Sequence, residues 1–159
     1  MHQPTSSVAP QLSARVTAPS MARAAVLERV ATQWLTRVRA ALLPLNLTHA
    51  QARLLIAAAW LGSRSLGVRQ SDIAAEAGAD PVMTSEVLRA LEMRDLISRA
   101  PHPIDRRAKA ITVTPAGGAL ADRAFRLLEA AETRFFEEGT ADFGGLSKSL
   151  KKGGRGPGD

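Results

Sequence analysis

At 159 residues, with no cysteine and aromatics at only 4%, the chain is sized for one domain with a core of aliphatic and alanine side chains. Disulfides, thiolate metal sites and cysteine-based redox sensing are thereby excluded. The net charge of +6 is unevenly spread: residues 1–47 carry five arginines against one acid, residues 48–114 nine basic against seven acidic groups, and residues 115–159 seven of each.

Bulk charge is therefore a weak pointer to nucleic acid, and the position of each charge has to carry the argument. Abundant Ala and Leu, with few β-branched runs, favour a mainly α fold. The opening MHQPTSSVAPQLSARVTAPS lacks the basic-then-apolar order of a secretory signal. No apolar stretch approaches the ~20 residues of a membrane span. A soluble, cytoplasmic protein that does not engage membranes is expected.

Residues 1–20, with Pro4, Pro10 and Pro19 among Ser, Thr and Ala, predict a disordered arm. Across residues 21–46, Val26, Val30, Trp34 and Val38 recur at i+4, flanked by Leu27, Leu35 and Leu42. This is an amphipathic helix of about five turns that ends near Pro44. Its apolar stripe is wider than a small domain can cover alone, and a second copy of the chain is the simplest cover. Thr48 and Gln51 form a capping box that starts a second helix, which stops at Gly62. A short third helix spans about Gln70 to Ala77 and ends at Gly78.

Asp80 caps a fourth helix with Pro81 at its first position, running to about Arg94. Thr84, Val87, Leu88 and Leu91 share its inner arc, while Val82, Glu86 and Arg89 point outward with Met83, Ser85 and Ala90 on the flanks. Leu96–Arg99 and Ala110–Val113 read as strands joined by a loop that Pro101 and Pro103 hold extended, tipped by Asp105-Arg106-Arg107. Residues 47–114 thus spell a winged helix-turn-helix with a small β-wing. Thr114-Pro115 starts another helix, with Leu120, Ala124, Leu127, Leu128, Ala131 and Phe135 apolar, to about Glu138. Ala141 to Lys152 offers a short final helix, so residues 115–152 complete the helical set and residues 153–159 form a disordered tail.

In order and spacing, Leu47-Thr48-His49-Ala50-Gln51, Gln70–Ala74, Asp80-Pro81, Leu91-Glu92, Leu96–Arg99, Asp105–Arg107 and Val113–Gly117 resemble the multiple-antibiotic-resistance regulator (MarR) family of bacterial transcription factors. The match runs from about Ala22 to Phe136. The resemblance implies a homodimer joined by the first and last helices, the fourth helix in the major groove and the wing tip at the adjacent minor groove. It further implies repression of a pseudo-palindromic operator in double-stranded DNA, relieved by a small phenolic or carboxylate effector. The chain departs from the family pattern at Glu86, where basic or amide residues are commoner, and at Asp95, where glycine usually closes the helix. Its C-terminus is also shorter and richer in glycine.

The candidate DNA-binding residues are Val82, Met83, Ser85, Glu86 and Arg89 on the helix, and Asp105, Arg106, Arg107 and Lys109 on the wing. Arginine suits a wing tip because its planar fork binds phosphates or base edges and stays charged, and a narrow minor groove attracts it. Arg89 is a candidate for phosphate or guanine, Ser85 for phosphate or base, and Val82 and Met83 for thymine methyls. Glu86 either accepts from cytosine N4 or is a solvated charge that discourages non-specific binding. Arg53, Arg64 and Arg69 are backbone-contact candidates or solvated cations. Trp34, His49, Arg53 and Trp60 are candidates for an effector pocket suited to an aromatic acid, against the alternative that both tryptophans are core. The three histidines have no metal-ligand spacing, and neither a phosphate loop nor a nucleophile motif occurs, so no enzyme, metal or cofactor is expected. The competing reading is a winged helix that acts through protein contact without specific DNA binding.

Overall fold

The computed structural model describes residues 19–65, 67–102 and 108–138. The predicted arm from residue 1 to 18, the wing tip Asp105-Arg106-Arg107, the final helix at Ala141–Lys152 and the tail lie outside these residues.

Helix α1 (Pro19–Leu42) begins slightly before the predicted boundary and gives way to a 3-10 turn, Leu43–Leu45, that contains Pro44. Asn46, left-handed at φ 50°, reverses the chain. At the far end of α1, Val38 and Leu42 are fully buried, whereas Val26 and Leu27 nearer its start are half-exposed. Helix α2 (His49–Gly62) opens on the predicted capping box: Thr48 Oγ1 accepts from Gln51 N at 3.1 Å, and Gln51 Oε1 accepts from Thr48 N at 3.0 Å. Leu54 and Leu55 sink into the core beside Ala52 and Ala58. α2 is the hub, because every other helix and the sheet pack against it.

Strand β1 (Val68–Arg69) precedes helix α3 (Gln70–Ala77), and Gly78 at φ 57° ends that helix in the left-handed conformation. Helix α4 (Pro81–Glu92) follows, and Thr84, Leu88 and Leu91 are completely buried on its inner face. Strands β2 (Ile97–Pro101) and β3 (Lys109–Val113) form the wing, and the antiparallel order is β1-β3-β2. Val68 and Arg99 both stand opposite Ile111, one on each side of β3. The sequence reading missed β1, since two residues are too few to show a period of two.

α4 stops two residues before the predicted end. Asp95 takes the left-handed conformation at φ 55°, and the amide of Leu96 then donates to Leu91 O at 3.1 Å. Aspartate thus occupies the conformation that glycine adopts without steric cost. Helix α5 (Pro115–Glu138) is capped by Thr114, whose Oγ1 accepts from Gly117 N at 3.0 Å and donates to Asp95 O at 2.8 Å. One threonine therefore fixes both the start of α5 and the exit from α4. α5 returns along α1 and α2. Among the described residues no helix is long and apolar enough to cross a membrane.

Candidate DNA-binding surface and effector cleft

Helix α4 is held by its inner face and by its cap. Asp80 Oδ1 accepts from Val82 N at 2.9 Å and from Met83 N at 3.0 Å, and Pro81 has no amide to donate. The free amides of the first turn are thereby consumed, so recognition from this helix falls to its side chains. Val82 is 70% exposed, and the side chains of Glu86 and Arg89 are exposed and make no hydrogen bond or ion pair with another described residue. Met83 and Ser85 are partly buried, and Met83 packs against the core, so Val82 is the more fully presented apolar side chain.

Other cations nearby are engaged in structure. Arg94 Nη1 donates to Asn46 O at 2.9 Å, tying the end of α4 to the α1–α2 turn. Arg99 pairs with Glu92 at 3.1 Å, which joins α4 to β2. Lys109 is exposed at the start of β3, the root of the wing.

The wing base is fastened by His102, which sequence reasoning did not single out. Its ring Nε2 lies 2.7 Å from Gly67 O, and because a carbonyl only accepts, Nε2 carries the proton. The backbone amide of His102 donates to Ala108 O at 3.0 Å, closing the wing hairpin. Gly67 is at φ 79°, and a Cβ there would lie 2.8 Å from His102 Nε2. The sequence signal was the glycine before β1 and the histidine between two prolines, but nothing local pairs positions 35 apart.

The four effector candidates do not come together in one site. Arg53 and Trp60 line a cleft of about 730 Å³ between α2, α3 and α5, together with Glu76, Ala77, Asp122 and Phe125. Arg53 Nη2 donates to Ala77 O, so the guanidinium satisfies the carbonyl end of α3. Trp60 is 49% exposed, and the Arg64 guanidinium sits 3.7 Å from its ring centroid. Trp34 lies elsewhere, in an aromatic cluster with Phe135 at 5.4 Å and Phe136 at 6.4 Å between ring centroids.

His49 does not line the cleft either. Burial, and secondarily the Arg53 charge one turn on, hold its pKa below the ordinary value of 6.5. A histidine whose folded pKa is depressed stabilises the fold above its unfolded pKa, and that stability is lost as pH falls. Melting temperature should therefore decline as pH drops below about 6.5, and His49→Gln should flatten the decline. Identical pH profiles for both proteins would show that His49 is not the group responsible.

A helix-turn-helix with a sheet-rooted wing, a presented α4 face and long flanking helices defines a winged-helix DNA-binding protein. The MarR family model matches residues 47–109. The chain is 33% identical over 107 residues to the HTH-type transcriptional regulator YdcH of Bacillus subtilis strain 168, covering 67% of this chain and 73% of that protein. CouR of Rhodococcus jostii RHA1, solved bound to p-coumaroyl-CoA, is 32% identical with a TM-score of 0.66, covering 86% of this chain and 91% of that one. CouR bound to a 23-mer DNA duplex matches at 27% identity and a TM-score of 0.67, over 95% and 100% of the two chains. The chain belongs to the MarR family and is a transcriptional regulator of the DNA-binding, helix-turn-helix type.

Proposed function

We propose that the chain works in the cytoplasm as a homodimeric repressor that binds a pseudo-palindromic operator and is released by a small aromatic or carboxylate ligand. The outward face of α4 carries this reading. Val82, Glu86 and Arg89 are presented on a helix whose opposite face is locked into the core, a rigid array suited to base edges. Arg106 and Arg107 of the wing are assigned to the adjacent minor groove, and Asp105 to holding that loop. The half-exposed Val26 and Leu27 of α1 supply an apolar surface for a second protomer. Two protomers would address half-sites about 10–10.5 bp apart or a multiple of that.

The Arg53–Trp60 cleft is the effector site in this reading. It touches α3 and α5, so an occupant contacts both the DNA-binding unit and a flanking helix. Phe125 and Trp60 supply aromatic walls, and Arg53 retains donors beyond the one given to Ala77. CouR, caught with an aromatic acyl thioester and separately with DNA, supports the pairing of ligand and operator in one protein. Titrating aromatic carboxylates and their thioesters against the preformed protein–operator complex tests this. Release is expected for the wild type and a response at least tenfold weaker for Trp60→Ala; release of equal sensitivity in both proteins would remove the cleft as the site.

A further inference from the structure

The Arg53–Trp60 cleft carries more charged groups than a plain carboxylate ligand would use. Its walls hold Arg53 of α2, Glu76 of α3 and Asp122 of α5 beside the rings of Trp60 and Phe125. The side chains of Glu76 and Asp122 are exposed and make no hydrogen bond or ion pair with another described residue. Arg53 donates to Ala77 O and pairs with neither acid. We infer that the cleft takes an aromatic molecule that bears an amine as well as an acid, with the ammonium group held between Glu76 and Asp122. The inference rests on the effector reading above and names the class of ligand for that site.

Charge separates this ligand from a simple aromatic acid. One guanidinium faces two carboxylates in the cleft. An anion that pairs with Arg53 there is also repelled by Glu76 and Asp122, whereas a ligand of both signs meets a partner at each end. Ammonium has donors enough to reach both carboxylates at once, and the Arg53 fork keeps others beyond the one given to Ala77.

The rings complete the fit. Trp60 and Phe125 are 49% and 53% exposed, a large apolar area to leave open at a cleft. Arg64 lies over one face of the Trp60 ring and does not line the cleft, so the other face is left for a ligand ring.

The charged groups sit on three different helices, and that gives an occupant leverage. Glu76 belongs to the last turn of α3, next to the Ala77 carbonyl that Arg53 holds, and Gly78 and Asp80 then lead into α4. Asp122 belongs to α5, which follows the wing. An ammonium between Glu76 and Asp122 draws the end of α3 toward α5 and shifts the base on which α4 stands. Such a ligand binds the shifted arrangement better than the DNA-bound one, which is what release requires.

The test uses isothermal titration calorimetry of the full chain with matched probes: naphthylalanine, naphthylpropanoate, which lacks the amine, and naphthylethylamine, which lacks the acid. A two-ring head suits a cleft of about 730 Å³ with two aromatic walls. Naphthylalanine should bind at least about tenfold more tightly than either of the others. Glu76→Gln and Asp122→Asn should each weaken both amine-bearing probes about three- to tenfold and leave the propanoate unchanged or bound more tightly. A general loss of structure would weaken all the probes alike, so the split between them reads the ammonium seat. Propanoate binding as tight as that of naphthylalanine, or amine binding that both variants leave unchanged, would overturn the inference. So would binding of none of the probes by a protein whose operator complex is still released by aromatic carboxylates or thioesters, and the effector reading would then stand without the amine. If those carboxylates and thioesters also fail to release the operator, both readings fall.

Discussion

Gly117→Ala should lower the melting temperature by about 6–12 °C, while Gly118→Ala next to it should leave the temperature unchanged or raise it slightly. Both glycines lie in the first turns of α5, where alanine is the better helix former by about 1 kcal/mol. They differ in what surrounds them. A Cβ on Gly117 would stand 1.9 Å from the carbonyl oxygen of Leu96 and 3.0 Å from Val113 Cγ1, whereas nothing lies within 4 Å of one on Gly118. The obstacle at 117 is backbone, which cannot swing aside as a side chain tip can. Leu96 is also the residue whose amide closes α4 and whose carbonyl accepts from Thr114 N at 3.1 Å. Moving it would loosen α4, β2 and α5 together. Such overpacking costs about 3 kcal/mol, and in a chain of this size each kcal/mol shifts the midpoint by about 2–4 °C. Thermal unfolding of the two variants side by side checks this, and a Gly117→Ala midpoint within 2 °C of wild type would contradict it.

The second large effect is functional. Arg107→Ala should weaken operator binding more than tenfold, about 1.4 kcal/mol or more, with dimer mass and melting temperature nearly unchanged. A guanidinium placed in a narrow minor groove gains from the concentrated negative potential there, and alanine retains none of that. The His102–Gly67 contact and the β1–β3–β2 register give the wing a fixed base, so the loss would fall on contact and not on folding. Equal affinity of variant and wild type in a titration by fluorescence anisotropy would sink the wing assignment.

What could be foreseen in the sequence divides by range. The caps at Thr48, Asp80 and Thr114 were legible because each side chain bonds an amide two or three residues away, a relation the sequence states directly. The two faces of α4 were legible for the same reason, since helical spacing sorts residues without reference to any partner. Asp95 could be marked as a left-handed position only because glycine is usual there in the family. Longer-range features were not legible. Strand β1 exists because β3 offers it an edge, and His102 serves the wing because Gly67 stands opposite. The effector candidates show the same limit. Helical spacing brings His49 and Arg53 onto adjoining turns of α2, but only the packing of α3 and α5 decides that Arg53 and Trp60 share a cleft and that Trp34 joins Phe135 instead.

The functional question comes down to whether α4 and the wing read a particular DNA sequence. A gel-shift of the wild-type protein with the DNA flanking its own coding region answers it. The expected result is a discrete complex that survives a large excess of unrelated duplex, is displaced by unlabelled copies of the same fragment, and dissolves as salt is raised. Binding no stronger to the flanking DNA than to unrelated duplex, or none at all, would contradict operator recognition and leave a winged helix that acts by protein contact alone.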